Sequence, residues 1–443
     1  MVKQVQWGDA CQRVMTCALT GAAAFCAGIP GAQIIANGPL WCYFYALRHL
    51  EKSDPRIAER FTGTQPDNNA VIYGTEACLK EELSRRKELP QASLLLIENS
   101  CAVSLIGDDI KGIAKEVGLS YPVVCLDSGG LKGGFAEGYS ITSKHCLESL
   151  NLEPRGKVKP KTVNLLGMSS VYYNGVNDLK ELKRLLYLSG YEVLACPGAG
   201  STVDEIRQLT RADFNVVLHE ELGMEMAVYL QTAYDMPYKS AGIPFGCAGT
   251  LDWLKEICGP ELLSETVKNE AAAATKKISK AVNELRLTWG EPWFDQIMIS
   301  APATMALSLG IALRREWFDT ENLTVIAQGK DVSPELNKKM QAEKEIDNYF
   351  KVDEDIQVVR KTYQQIRSGL LLGSSEEKML LLESGKDKVA CVQITYPALD
   401  ELLLTDVPFV GVRGALHMVQ RIWNAKMANM LWQGRNINND RQD

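Results

Sequence analysis

Most of the short motifs by which a sequence announces its chemistry are missing from this 443-residue chain. It has no Gly-x-x-x-x-Gly-Lys-Ser/Thr loop, and so lacks the phosphate cradle by which an ATPase holds its nucleotide. It has no Cys-x-x-Cys pair, which excludes the usual zinc ribbon and the thioredoxin-type centre. Histidine is scarce: His49, His145, His219 and His417 are the only four, with no His-x-x-x-His or His-Glu-x-x-His spacing. A serine-hydrolase elbow is absent as well. Basic residues are not in excess, since 48 Lys and Arg against 55 Asp and Glu leave a formal charge of −7. That balance argues against a nucleic-acid partner, which wants a basic face. No uncharged apolar run reaches the roughly 18 residues of a membrane span. The start, Met1 to Asp9, lacks the apolar core of a signal peptide. The expected location is the cytoplasm, without membrane contact.

Cysteine, by contrast, is plentiful at twelve. In a reducing compartment these should stay free thiols. Cys78, Cys125, Cys146, Cys196, Cys258 and Cys391 lie in apolar or amphipathic segments and read as small buried hydrophobes. Three others stand where a loop meets a regular element. Cys17 opens the small-residue run Thr20-Gly21-Ala22-Ala23-Ala24, Cys42 follows the turn Asn37-Gly38-Pro39, and Cys101 ends the apolar strand at 94–97. Thiols so placed can converge without breaking a helix or a ladder, and a helix N-terminus favours the thiolate. Three converging thiolates are what an iron–sulfur cluster needs from one side of a subunit interface.

Strand-like and helix-like runs alternate along the chain, which predicts an α/β fold with parallel sheets flanked by helices. Strands are expected at 33–36, 69–73, 94–98, 123–126, 162–166, 192–195, 215–218, 296–300, 323–327, 369–372 and 389–394. Amphipathic helices are expected between them, at 76–87, 109–117, 176–189 and 356–366. A polar linker with two prolines spans 151–160, and a long charged helix spans about 263–287. These breaks suggest three Rossmann-like units around a central cleft: 1–155 carrying the cysteines, 156–290 with the long helix, and 291–443.

Two further segments carry chemistry. Ser128 to Gly134 is glycine-rich and follows a strand, but it is no dinucleotide fingerprint; its glycines suggest close backbone approach to something bulky. His219 ends the strand at 215–218 and precedes Glu220 and Glu221. The carboxyl end of a parallel strand is where such sheets hold ligands. A histidine beside two carboxylates can serve there as a proton donor or ligand. Solvated glutamates at a helix start would have the same sequence.

The first 140 residues resemble the nitrogenase component 1 family, which holds nitrogenase subunits, cofactor scaffold proteins and dark-operative protochlorophyllide reductase subunits. The resemblance rests on Cys17-Ala18-Leu19-Thr20-Gly21-Ala22-Ala23-Ala24, on Asn37-Gly38-Pro39-Leu40-Trp41-Cys42, on Cys101 with Ile106-Gly107-Asp108-Asp109, and on Leu131 to Tyr139. The step of 25 residues from Cys17 to Cys42 (42 − 17) suits the β-type subunits, with Cys26 as a reserve ligand. Looser likeness continues through Tyr234-Asp235-Met236-Pro237-Tyr238 and Gly411-Val412-Arg413-Gly414-Ala415.

The resemblance implies that Cys17, Cys42 and Cys101 ligate an iron–sulfur cluster, [4Fe-4S] or larger, shared with a partner subunit. It implies assembly with a homologous second subunit, as heterotetramer or homodimer, and electrons from a separate ATP-dependent iron–sulfur reductase. The missing phosphate loop agrees with that division of labour. The family's α-type subunit has a cofactor-holding cysteine where this chain has Leu218-His219, and a cofactor histidine that has no counterpart between Pro397 and Gly411. A nitrogenase-type metallocofactor is therefore not expected on this chain. The expected function is that of an electron-transferring subunit of a nitrogenase-like two-component oxidoreductase, with His219, Glu220 and Glu221 as candidates in the catalytic cleft. A non-catalytic scaffold for cluster or metallocofactor assembly, and a clusterless α/β binding protein, remain as alternatives.

Overall fold

Three parallel sheets, each flanked by helices, organise the computed structural model, which describes residues 17–289, 294–328, 333–351, 361, 363–365, 369–386 and 389–439. The first contains β1 (Ala32–Asn37), β2 (Phe61–Gly63), β3 (Leu94–Asn99) and β4 (Val123–Leu126) in the order β2-β1-β3-β4. The second contains β5 (Lys159–Leu166), β6 (Glu192–Ala195), β7 (Ala212–Val217) and β8 (Tyr238–Ser240) in the order β6-β5-β7-β8. The third orders β9 (Phe294–Pro302), β10 (Thr320–Gln328), β11 (Asn348–Lys351), β12 (Gly369–Gly373) and β13 (Val389–Gln393) as β11-β10-β9-β12-β13.

Each order reverses once: between β1 and β3, between β5 and β7, and between β9 and β12. At such a reversal the loops leaving two neighbouring strands diverge to opposite faces and open a crevice at their carboxyl ends. Cys42 and Cys101 follow the first pair of strands, and His219 follows β7 in the second. The fold therefore sets both groups of sequence-selected residues at topological switch points.

The chain packs as two compact units. Among the described residues, one takes 17–176 together with Tyr191–Ser240, and so holds the first two sheets; the other takes Asn177–Gly190 and the chain from Ala241, with the third sheet. Each sheet lies within one of the three segments delimited by sequence.

Several elements differ from the sequence expectation. The run at 69–73 is not a strand but part of the helix Asn68–Tyr73, because the Asp67 carboxylate caps it by accepting the Ala70 N–H at 2.7 Å. The short strands β2, β8 and β11 carry too few residues for an alternating pattern to show. The segment at 151–160 is irregular until β5 begins at Lys159, and the long charged helix runs Glu265–Trp289. Most of the helix expected at 356–366 lies outside the described residues.

In the first unit the helix Ala18–Ala27 is buried along nearly its whole length, against the helix Phe135–Ser149. Only small residues permit such close approach. A Cβ on Gly21 would overlap the Phe135 carbonyl oxygen, and one on Gly138 would overlap that of Ala18. Because backbone rather than a flexible side chain stands in the way, Gly138→Ala should destabilise the protein by about 1–3 kcal/mol, read as a lower midpoint of urea unfolding.

In the second unit Asp178 holds the start of the helix Gly411–Asn439. Its Oδ1 accepts the N–H groups of Phe409 at 2.6 Å and Val410 at 3.3 Å. Burial pushes its carboxyl from 3.8 up to about 7, with Glu181 adding to the rise. A raised acid keeps its proton in the folded protein after the unfolded chain has lost it. Stability from this group should therefore decline as pH rises from about 4 to about 7, by up to roughly 1.4 kcal/mol per unit. Asp178→Asn should flatten that slope in unfolding measurements at pH 5 and pH 8.

Candidate functional site

Cys17 and Cys101 come together at the carboxyl edge of the first sheet, with Cys42 within electrostatic reach of both. Cys17 is the N-cap of the helix Ala18–Ala27, Cys42 is the third residue of the helix Leu40–Leu50, and Cys101 opens the helix Cys101–Ile106. The glycine-rich loop joins two of them. A Cβ on Gly130 would lie 3.0 Å from Cys17 Cβ and 3.4 Å from Cys101 Sγ, and one on Gly129 would lie 2.7 Å from the Cys101 backbone nitrogen. Cys17 also forms an isolated antiparallel bridge with Gly134. The glycines at 129 and 130 are thus required by close approach to the cysteines themselves.

Electrostatics tie Cys42 to the other two. Burial is the main influence that pushes its thiol up to about 11, and the Cys17 and Cys101 thiols raise it further. Cys17 is open to solvent on one side, yet crowding by protein is the largest influence raising its thiol, ahead of the opposing pull of backbone N–H groups from Thr20 and Leu19. At Cys17 and Cys42 desolvation outweighs the helix-terminus effect expected from sequence. Thiolates gathered in this way need positive charge between them, which iron supplies.

Glu98 completes the setting. This β3 carboxyl is fully buried, accepts a hydrogen bond from Ser128 Oγ at 3.0 Å on Oε2, and has no partner for Oε1. Burial pushes its carboxyl well up, and it lies within electrostatic reach of Cys17 and Cys42. Sequence reasoning missed it, because its place on an otherwise apolar strand was the only signal. Among the described residues, no three His, Cys, Asp or Glu side chains converge on a single metal-ion position. A cluster asks for something different, since each thiolate binds its own iron and the sulfurs must ring a volume. The chemistry of the donor set, three cysteine thiols at element ends around a side-chain-free glycine, fits such a group. The reserve residue Cys26 lies elsewhere, sealed in the core with Cys146 beside it.

The second constellation forms in part. His219 caps the helix Glu220–Tyr234, is only 3% exposed, and pairs through Nδ1 with Glu221 Oε1 at 3.2 Å. The ring of Tyr172 packs edge-to-face on the imidazole at 4.9 Å between centroids. Glu220 turns instead to Ser240, whose hydroxyl donates to it at 2.6 Å. His219 and Glu221 therefore form one hydrogen-bonded pair, while Glu220 is tied to Ser240 at the sheet edge.

Among the described residues, no helix is long and apolar enough to cross a membrane. Comparison with known proteins places these features in context. The family model for nitrogenase component 1 type oxidoreductases matches residues 17–427. The B subunit of the light-independent protochlorophyllide reductase of Rhodopseudomonas palustris (strain TIE-1) is 27% identical over 343 residues, 74% of this chain and 60% of that protein. Its counterpart in Bradyrhizobium sp. (strain ORS 278) is 25% identical over 378 residues, 83% of this chain and 70% of its own length. The solved structure of nitrogenase Cp1 at pH 6.5 superposes with a TM-score of 0.79 at 16% identity, covering 94% of this chain and 93% of that one. At that identity the likeness speaks for the fold. The match spans about three fifths of the length of the first of these relatives.

Proposed function

The chain belongs to the nitrogenase component 1 type oxidoreductase family, and we propose that within it the protein is the electron-transferring subunit of a two-component reductase. Cys17, Cys42 and Cys101 would hold an iron–sulfur cluster that accepts electrons one at a time. The observation that carries this reading is the approach of Cys17 and Cys101 to the same glycine, with Cys42 within electrostatic reach of both. The remaining cluster ligands come from a homologous subunit. Large apolar side chains crowd the same rim: Trp41 is 62% exposed, Leu105 77% and Leu131 69%. Such residues gathered around half a ligand set suit a mating face rather than a free surface.

Within the chain, the cysteine sulfurs beside Glu98 are placed to pass electrons, and the hydrogen-bonded His219–Glu221 pair at the second switch point is placed to supply protons. A reduction needs both, since each electron pair delivered to an organic acceptor is balanced by protons. The relatives named above are protochlorophyllide reductase subunits, so that pigment is the first substrate to offer. An ATP-dependent iron–sulfur reductase supplies the electrons.

The test is anaerobic reconstitution of the protein with a partner subunit and such a reductase. ATP-dependent bleaching of a broad absorbance near the blue end of the visible spectrum is expected. A colourless protein that accepts no electrons would refute the reading.

A further inference from the structure

The turns that carry Cys42 and Cys101 are locked to each other by one buried hydrogen-bond network. Asn37 and Asn99 are register partners, the last residues of β1 and β3, at the switch point of the first sheet. The Asn37 side chain donates from Nδ2 to Thr75 Oγ1 and to Asn99 Oδ1, both at 3.0 Å. Its Oδ1 accepts from Thr64 Oγ1 at 2.8 Å, and Thr64 Oγ1 in turn accepts the Gly38 N–H at 3.2 Å. The Asn37 backbone carbonyl accepts the Ser100 N–H at 3.0 Å. One residue therefore binds the turn leading to Cys42 and the turn leading to Cys101.

The network continues to a second anchor. Asp108 Oδ2 accepts both the backbone N–H and the hydroxyl of Thr75, each at 2.6 Å. Asn99 stands just before the helix Cys101–Ile106, and Asp108 just after it. The short helix whose first residue is Cys101 is thus gripped at entry and exit by one connected set of bonds. Between the two turns there is no slack, since a Cβ on Gly38 would overlap Ser100 Oγ. Asn37 and Thr75 are fully buried, so nothing in solvent replaces a lost bond.

We propose that Asn37, anchored through Thr75 to Asp108, is the positioning residue that fixes the separation of Cys42 and Cys101 for cluster binding. The proposal rests on the cluster reading given above. A buried polar set of this size contributes little net stability compared with apolar packing, and its effect is to specify geometry. Groups that orient metal ligands from behind typically change metal affinity by about 10–100-fold when removed.

The test uses two near-isosteric variants, Thr75→Val and Asn37→Asp, with Thr75→Ser as the conservative rescue, each purified anaerobically with the partner subunit. Thr75→Val removes the hydroxyl link, and Asn37→Asp removes both Nδ2 donors while keeping an acceptor for Thr64. Iron loss to a ferrous chelator should be about tenfold faster in both. Their reduced-cluster electron paramagnetic resonance signal should broaden or shift, and Thr75→Ser should match the parent in both readouts. Parent-like iron retention and an unaltered signal in both near-isosteric variants overturn the proposal. A parent that holds no iron overturns the cluster reading itself. If one variant does not fold, the other decides.

Discussion

Cys42→Ala is expected to lose at least about tenfold of the protein's bound iron, because a direct ligand matters more than the groups behind it. Alanine suits the first turn of the helix Leu40–Leu50 and adds no volume, so folding should persist. Cys17→Ala and Cys101→Ala should behave alike, since the remaining two sulfurs cannot close their half of the cluster. Cys26→Ala is the discriminating control. It removes a thiol from the same stretch of sequence but from inside the core, and should leave iron unchanged. Iron and acid-labile sulfide, measured on the four variants after anaerobic purification with the partner, separate ligands from packing thiols. Equal loss in all four would mean that iron tracks general stability instead.

The second large effect belongs to His219. His219→Ala should lower reductase-dependent turnover of the proposed substrate by about 10²-fold or more while leaving iron content and the cluster's spectrum intact. The proposed tasks are separate: electrons would pass through the sulfurs at the first sheet, whereas the imidazole paired with Glu221 lies at the second. Glu221→Gln should cut turnover less, because the amide can still contact Nδ1 and hold the ring in place. Glu220→Gln should have little effect, since its carboxylate is spent on Ser240. A His219 variant with full turnover would remove this residue from the reaction.

Much of this was legible in the chain because the relevant signals are local. Cys17, Cys42 and Cys101 each adjoin a turn or small-residue run that ends an element, and apolar strands such as the one at 94–97 stand out from their polar surroundings. Ile106-Gly107-Asp108-Asp109 was visible as a motif, yet its purpose was not. Gly107 adopts a left-handed φ of 82°, Asp109 caps the next helix through Gly112 N–H, and Asp108 anchors Thr75 from 33 residues away. Only the last of these depends on tertiary structure, and it is the one that bears on the site. Glu98 was hidden for the same reason: an acid on a strand reads as an edge until the strand is seen to be central. The misread run at 69–73 shows the opposite error, in which β-branched and aromatic composition suggested a strand and a single capping aspartate decided for a helix.

The metal content of the parent protein is the most direct measurement. Purified without oxygen beside its partner subunit, the protein should contain both iron and acid-labile sulfide, enough for one shared cluster per pair of subunits. A colourless, correctly folded complex with neither would contradict the cluster reading.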